Sequence, residues 1–262
     1  MGQTVILKDK TQIEKFLRSD PFLHLYSLGD LDDFYWPFTR WYGKITGGKL
    51  TDLVLIYQEE NPPVVLALSQ NPDSMSKILR ELYSLLPRTI YAHLSPGVES
   101  VFQASWQVVP HGKHIKMGLV NRDRLEKFDT KDVQRLTPDQ VEQIQEFYQQ
   151  AYPGNWFNPR MLETRQYFGI KSAGKLISIA GIHVYSPRYG VAALGNIATH
   201  PSYRGQGFAA RVTARCCQSL LENAAAIGLN VRADNQAAIA CYQKLGFRKK
   251  AEYGEFTIEK KG

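Results

Sequence analysis

The chain has 262 residues, a mass of 29.8 kDa and a formal charge of +7, with 44% hydrophobic and 11% aromatic residues. This composition excludes a disordered or fibrous chain and fits a globular protein of one large or two modest domains. No run approaches the roughly 18 apolar residues of a membrane span, and residues 1–10 lack the apolar centre of a signal peptide, so a cytoplasmic protein with no membrane partner is expected. Three cysteines, Cys216, Cys217 and Cys241, cannot all pair, and His111 and His114 stand away from them; reduced thiols and no metal are expected. The 32 Lys+Arg, against 25 Asp+Glu, are scattered singly or in pairs and read as solvated faces. Without a recognition helix or a basic-aromatic stripe, nucleic acid is not an expected partner.

In chain order, the aromatic cluster Phe34, Tyr35, Trp36, Phe38, Trp41 and Tyr42 is dense enough to pack a core or line a cleft, and core packing is the expectation. Residues 51–57 and 63–69 read as paired strands, 73–86 as a helix, 89–93 as a strand and 96–104 as a helix. A connector falls within 118–137. Trp156 and Phe157 sit in a Pro- and Asn-marked loop between helical patterns. A hairpin follows over 167–170 and 176–182, then a strand over 191–199 stopped by Pro201.

Phe208, Val212, Cys216 and Leu220 recur every four residues, the spacing of one helix face. Residues 227–231 read as a short strand. Asp234 or Asn235 then caps a helix with the stripe Ala238, Cys241, Tyr242 and Leu245, and Gly246 supplies a left-handed stop. The two halves share one order of elements, with Ser84-Leu85-Leu86 and Ser219-Leu220-Leu221 at matching places, so an internal duplication is expected.

Chemistry concentrates at 198–209, where a strand runs directly into a helix. N–H groups at a helix start have no intrahelical acceptor and sit at its positive end, so they cradle a pyrophosphate. Gly205 and Gly207 let that backbone approach a ligand, and Arg204 adds positive charge. Taken singly, each residue has a plain reading: Arg204 as a loop cation, Asn235 as a helix cap, Tyr242 as a half-buried aromatic.

Together, Arg204, Gly207 and Ala209 resemble the R-x-x-G-x-A form of the coenzyme A signature of the GNAT N-acetyltransferase superfamily. Further on, Asn235-x-x-Ala238-x-x-Cys241-Tyr242-x-x-Leu245-Gly246-Phe247 is similar to the family's second motif. The resemblance covers the chain from about Thr137 onward. It implies an α/β (α+β mixed sheet) GNAT fold in two tandem domains: a degenerate copy at 1–125 and an acyl-CoA-binding catalytic copy at 126–262.

By this resemblance the backbone of Ile197, Ala198 and Thr199 pairs with the pantetheine arm and polarises the thioester. The turn Gly205, Gln206, Gly207, Phe208 and Ala209, with Arg204, holds the pyrophosphate, and Asn235 binds the arm. Tyr242 serves as the acid toward the departing thiolate of acetyl-CoA or another acyl-CoA. The expected acceptor is a small-molecule amine or an amino acid, approached from the side of Trp156 and Phe157. Many family members place a carboxylate base near Gly195 or Asn196; this chain has none there, and His183 on the neighbouring strand is read either as a substitute or as a structural histidine, which leaves the base unassigned.

The corresponding turn of the first half, 69–74, carries no glycine and includes Pro72 and Asp73, so it is expected not to hold a pyrophosphate. Segments 26–33 and 155–162 resemble signatures of the glycine N-acyltransferase-like branch. An acyl-CoA sensor without turnover is the alternative reading.

Overall fold

In a computed structural model describing residues 3–261, one pattern of elements occurs twice. The first run is β1 (Gln3–Leu7), α1 (Lys10–Leu17), α2 (Leu25–Gly29), β2 (Thr39–Thr46), β3 (Lys49–Tyr57), β4 (Val64–Ala67), α3 (Pro72–Glu81), β5 (Thr89–Leu94) and β6 (Trp106–Leu119). The second is β7 (Gln134–Arg135), α4 (Val141–Ala151), β8 (Phe168–Ser172), β9 (Lys175–Ser186), β10 (Val191–Thr199), α5 (Phe208–Leu220), β11 (Ala226–Arg232), α6 (Gln236–Lys244) and β12 (Phe247–Lys260). In the first run β2, β3 and β4 pair antiparallel and β4 pairs parallel with β5. In the second, β8, β9 and β10 pair antiparallel and β10 pairs parallel with β11. The duplication is therefore present in topology as well as in order.

Two compact units result. One comprises residues up to Lys116, Arg232–Asp234 and the chain from Lys250; the other comprises Met117–Val231 and Asn235–Lys249. In the first unit β5 takes its partner from the end of the chain, with Leu94 opposite Gly254 and Thr89 opposite Glu259 in β12.

The first unit's core forms where α3 lays Met75, Ile78 and Leu79, all fully buried, against Phe102, Trp106 and Ile258. Burying each such side chain contributes about 1.5–3 kcal/mol. Helix α3 is shorter than its apolar pattern suggests. After Glu81 the chain tightens into turns, with Leu85 N–H donating to Leu82 O at 2.9 Å, ahead of Pro87, which disfavours helix in its predecessor. The helix expected over 96–104 is a single 3-10 segment, Val98–Val101, entered through Gly97 at φ 89°; it already buries Val98, Val101 and Phe102. Of the aromatic cluster, Tyr35, Trp41 and Tyr42 are buried and Phe34, Trp36 and Phe38 half-buried.

In the second unit α5 presents Val212, Cys216 and Leu220 as a fully buried stripe and packs on β8, β9 and β10. Helix α4 packs on β9 and β10. Gly246 ends α6 at φ 100°, and a Cβ there would fall 2.0 Å from Asn121 O, so glycine is required twice over. All three cysteines are free. Among the described residues, no helix is long and apolar enough to cross a membrane.

Candidate functional site

Strand β10 departs from its neighbours halfway along. It pairs with β11 only from Val191 to Leu194, while β11 continues to Arg232. Its other edge stays on β9, but the register breaks between Gly195 and Ala198, which pair with Gly181 and Ile179. Two residues, Asn196 and Ile197, thus face one, Ala180. This is a β-bulge, and Asn196 adopts the left-handed φ of 53° that Asn tolerates better than most residues. Beyond it, Ala198 and Thr199 resume the pairing, and Ser178 Oγ closes the end, 3.1 Å from Ala198 O and 2.9 Å from Thr199 Oγ1. Ile197 and Thr199 are half-buried and Ala198 is buried.

The chain then turns into α5. Gly205 and Gly207 have φ of 77° and 82°, and a Cβ at either would meet no atom within 4 Å, so the backbone faces open space. Gly207 is the N-cap of α5, and no side chain caps the helix. The N-terminal amides are therefore left without a side-chain acceptor at the helix's positive end. Arg204 braces the turn: its Nε donates to Thr199 O and its Nη2 to Ala151 O, both at 3.2 Å. Arg204 and Gln206 are exposed, Phe208 and Ala209 half-buried.

Tyr242 lies buried on α6, its ring 6.0 Å from that of Phe247. Burial pushes its phenol well above the usual range, with Cys241, Tyr152 and Cys217 adding to the effect, so the hydroxyl stays protonated. Asn235 is exposed and caps α6, its Oδ1 accepting from Ala238 N at 3.1 Å.

No carboxylate stands at 195 or 196, and at 195 packing gives the reason. A Cβ on Gly195 would fall 1.9 Å from Cδ2 of His183, so the imidazole covers the place a side chain would occupy. In the same way a Cβ on Gly181 would fall 2.2 Å from Cε1 of Tyr167. Phe157 packs between Tyr148 and Tyr167, its ring centroid 5.4 and 5.5 Å from theirs, while the adjacent Trp156 is 40% exposed.

Two antiparallel pairings, a parallel one across a helix, a bulge at the divergence and a glycine turn opening that helix form one arrangement. The fold is the GNAT fold. The acetyltransferase (GNAT) family pattern matches residues 132–247. A solved Drosophila protein is similar over 98% of each chain, with TM-score 0.71 and 12% identity. A tandem GNAT protein from the clavulanic acid biosynthesis pathway is similar over 100% of this chain and 99% of its own, with TM-score 0.57 and 15% identity. An uncharacterised protein of Mycobacterium leprae is 31% identical over 125 residues, 44% of this chain; the chain spans 33% of that relative's length.

Within this GNAT fold the first unit builds the corresponding turn differently. Asn71 caps α3, accepting from Ser74 N at 3.1 Å, and Pro72 opens the helix without an N–H. The buried Asp52 carboxylate accepts from Ser74 Oγ at 2.5 Å and Ser69 Oγ at 3.4 Å. At the strand ends, Ser95 N donates to Ala67 O at 3.3 Å and Ser69 N to Ser95 Oγ at 2.9 Å, which ties β4 to β5 where β10 and β11 diverge. The Ser74 amide is taken by the Asn71 cap, position 72 offers none, and the Asp52 carboxylate lies against the Ser74 hydroxyl. Sequence reasoning had singled out Asn196 only as a place without the family's carboxylate, and had singled out none of Tyr148, Tyr167 or Gly181 for a role in the site.

Proposed function

We propose that the chain is an N-acyltransferase, acting with acetyl-CoA or another acyl-CoA on a primary amine of a small molecule or amino acid, and that residues 126–262 carry the site. The observation that carries this reading is the uncapped start of α5 behind two left-handed, open-faced glycines, set beside a strand edge without a β-partner. These features fit a diphosphate with a pantetheine arm: the amides of 205–209 and the Arg204 guanidinium for the anion, the β11-facing edge of Ile197 to Thr199 for the arm's amides. The tandem arrangement also suits the glycine N-acyltransferase-like branch, with 1–125 as a degenerate copy.

Bound acyl-CoA supplies the thioester and a thiol leaving group. The chain's own residues do the rest. Gly205 and Gly207 hold the turn open, and Arg204, fixed on Thr199 O and Ala151 O, keeps donors to spare for an anion. Backbone N–H groups near Ile197 stabilise charge developing on the carbonyl oxygen. Tyr242, kept protonated by burial, donates its proton to the departing sulfur. An ammonium cannot attack, so the acceptor must shed a proton; His183, lying over Gly195, is the group we assign to receive it.

The absence of a carboxylate at 195 and 196 favours one second reading, an acyl-CoA sensor. Free-thiol release from acetyl-CoA is the test, with glycine, glycinamide, benzylamine, spermidine and glucosamine as acceptors. Amine-dependent release supports the transferase. Calorimetric binding of acetyl-CoA with no release from any of them supports the sensor.

A further inference from the structure

The bulge in β10 is held by two tyrosines. Tyr148, from α4, is fully buried, and its hydroxyl donates to Asn196 O at 2.6 Å. A carbonyl in a regular strand points along the sheet toward a neighbouring strand. This one is bonded to a helix residue instead.

The second hold is on the Asn196 side chain, whose Nδ2 donates to Tyr167 Oη at 2.9 Å. Tyr167 has one hydroxyl proton, and Ile182 O, 3.0 Å away, can only accept it; Met161 Sδ, at 3.1 Å, is a weak acceptor as well. With its proton on Ile182 O, Tyr167 Oη accepts from Asn196, which presents its NH₂. Asn196 is buried, and its left-handed φ of 53° leaves the backbone at this point in a sparsely populated state that needs external support.

A planar trans peptide directs its C=O and N–H in opposite senses. With the 196–197 carbonyl turned to Tyr148, the Ile197 N–H is turned away from it. If β10 were regular, this N–H would lie along the sheet.

We propose that Tyr148 and Tyr167 are positioning residues: by gripping Asn196 at its carbonyl and its amide, they fix the Ile197 N–H as the hydrogen-bond donor to the acyl carbonyl of bound acyl-CoA. This rests on the acyl-CoA reading above and adds to it which side chains set the donor's direction. A tyrosine satisfied in the core for stability alone would leave the carbonyl of a bound ligand unaffected.

The test is isotope-edited infrared spectroscopy of the full chain with acetyl-CoA carrying ¹³C at the carbonyl. It needs no acceptor. In the wild type the carbonyl band is expected at lower wavenumber than in free acetyl-CoA. Tyr148→Phe and Tyr167→Phe are each expected to lose at least half of that displacement, while calorimetric affinity changes by less than about threefold, since each removes one hydroxyl remote from the nucleotide. A loss of displacement in either variant that binds supports the proposal, so a folding failure in one leaves the other to decide. Wild-type displacement in the binding-competent variants overturns it, as does a bound wild type with an undisplaced band; in both cases the cofactor site stands. No binding of acetyl-CoA to the wild type removes the acyl-CoA reading itself.

Discussion

Substituting Gly207 separates the turn's backbone geometry from its electrostatics. Gly207 has φ 82°, and a Cβ built on it meets nothing within 4 Å, so replacement introduces strain without collision. For Ala the left-handed conformation costs about 1–2 kcal/mol. Glu incurs the same strain, but its carboxylate at the positive end of α5 contributes about 0.3–1 kcal/mol in favour of the free protein. Free Gly207→Glu is therefore expected to be no less stable than free Gly207→Ala. Acetyl-CoA at 100 times its Kd stabilises the wild type by about 2.7 kcal/mol. In a chain of this length that raises Tm by roughly 5–10 °C. Differential scanning fluorimetry with and without acetyl-CoA should show this rise in the wild type, a reduced rise in Gly207→Ala and none in Gly207→Glu, where a carboxylate occupies the anion's place. A wild-type rise in Gly207→Glu refutes the reasoning.

Tyr242→Phe should slow amine-dependent thiol release by about 100-fold or more while acetyl-CoA affinity holds, the signature of a lost proton donor; an unchanged rate ends that role. Calorimetry should give one acetyl-CoA per chain, because the first unit's turn is capped by Asn71 and backed by Asp52; a second equivalent of comparable affinity contradicts this. Asp30, buried, has its carboxyl pushed up to about 8 by desolvation, so it is protonated in the folded state near neutrality. A folded pKa above the unfolded value, near 4, favours folding fully only below that unfolded value, and the stability is lost as pH rises toward 8, by up to about 1.4 kcal/mol per pH unit. Asp30→Asn should flatten urea-unfolding stability across that window; an identical pH slope in variant and wild type counts against the burial argument.

Local chemistry was legible in the sequence, and long-range chemistry was not. The apolar run ended by Pro201 delimits β10 at Val191–Thr199, and the four-residue spacing from Phe208 locates α5. Gly246 stops α6 as its position suggests. Each of these depends on neighbours within a few residues. The bulge at Asn196 depends on Tyr148 and Tyr167, which lie far from it in the chain, and nothing in an alternating apolar run announces a skipped partner. Gly181 reads as an ordinary strand residue and Gly195 only as the place of a missing carboxylate; packing alone shows that Tyr167 and His183 need their missing side chains. The 96–104 segment has helical spacing, yet one 3-10 turn buries the same side chains, a choice set by tertiary fit. The long strands β6 and β12 went unread because their partners are distant in sequence.

The pairing of β5 with residues 254–259 also bears on how the polypeptide is made. During synthesis, residues 89–94 emerge long before the segment that completes their hydrogen-bond ladder. Until translation reaches it, that edge of the first unit exposes unpaired main-chain groups, the condition under which nascent chains associate wrongly. Ribosome-bound intermediates of this protein should therefore be chaperone clients through most of elongation, and a stop codon placed shortly before residue 254 should damage the half of the molecule made first.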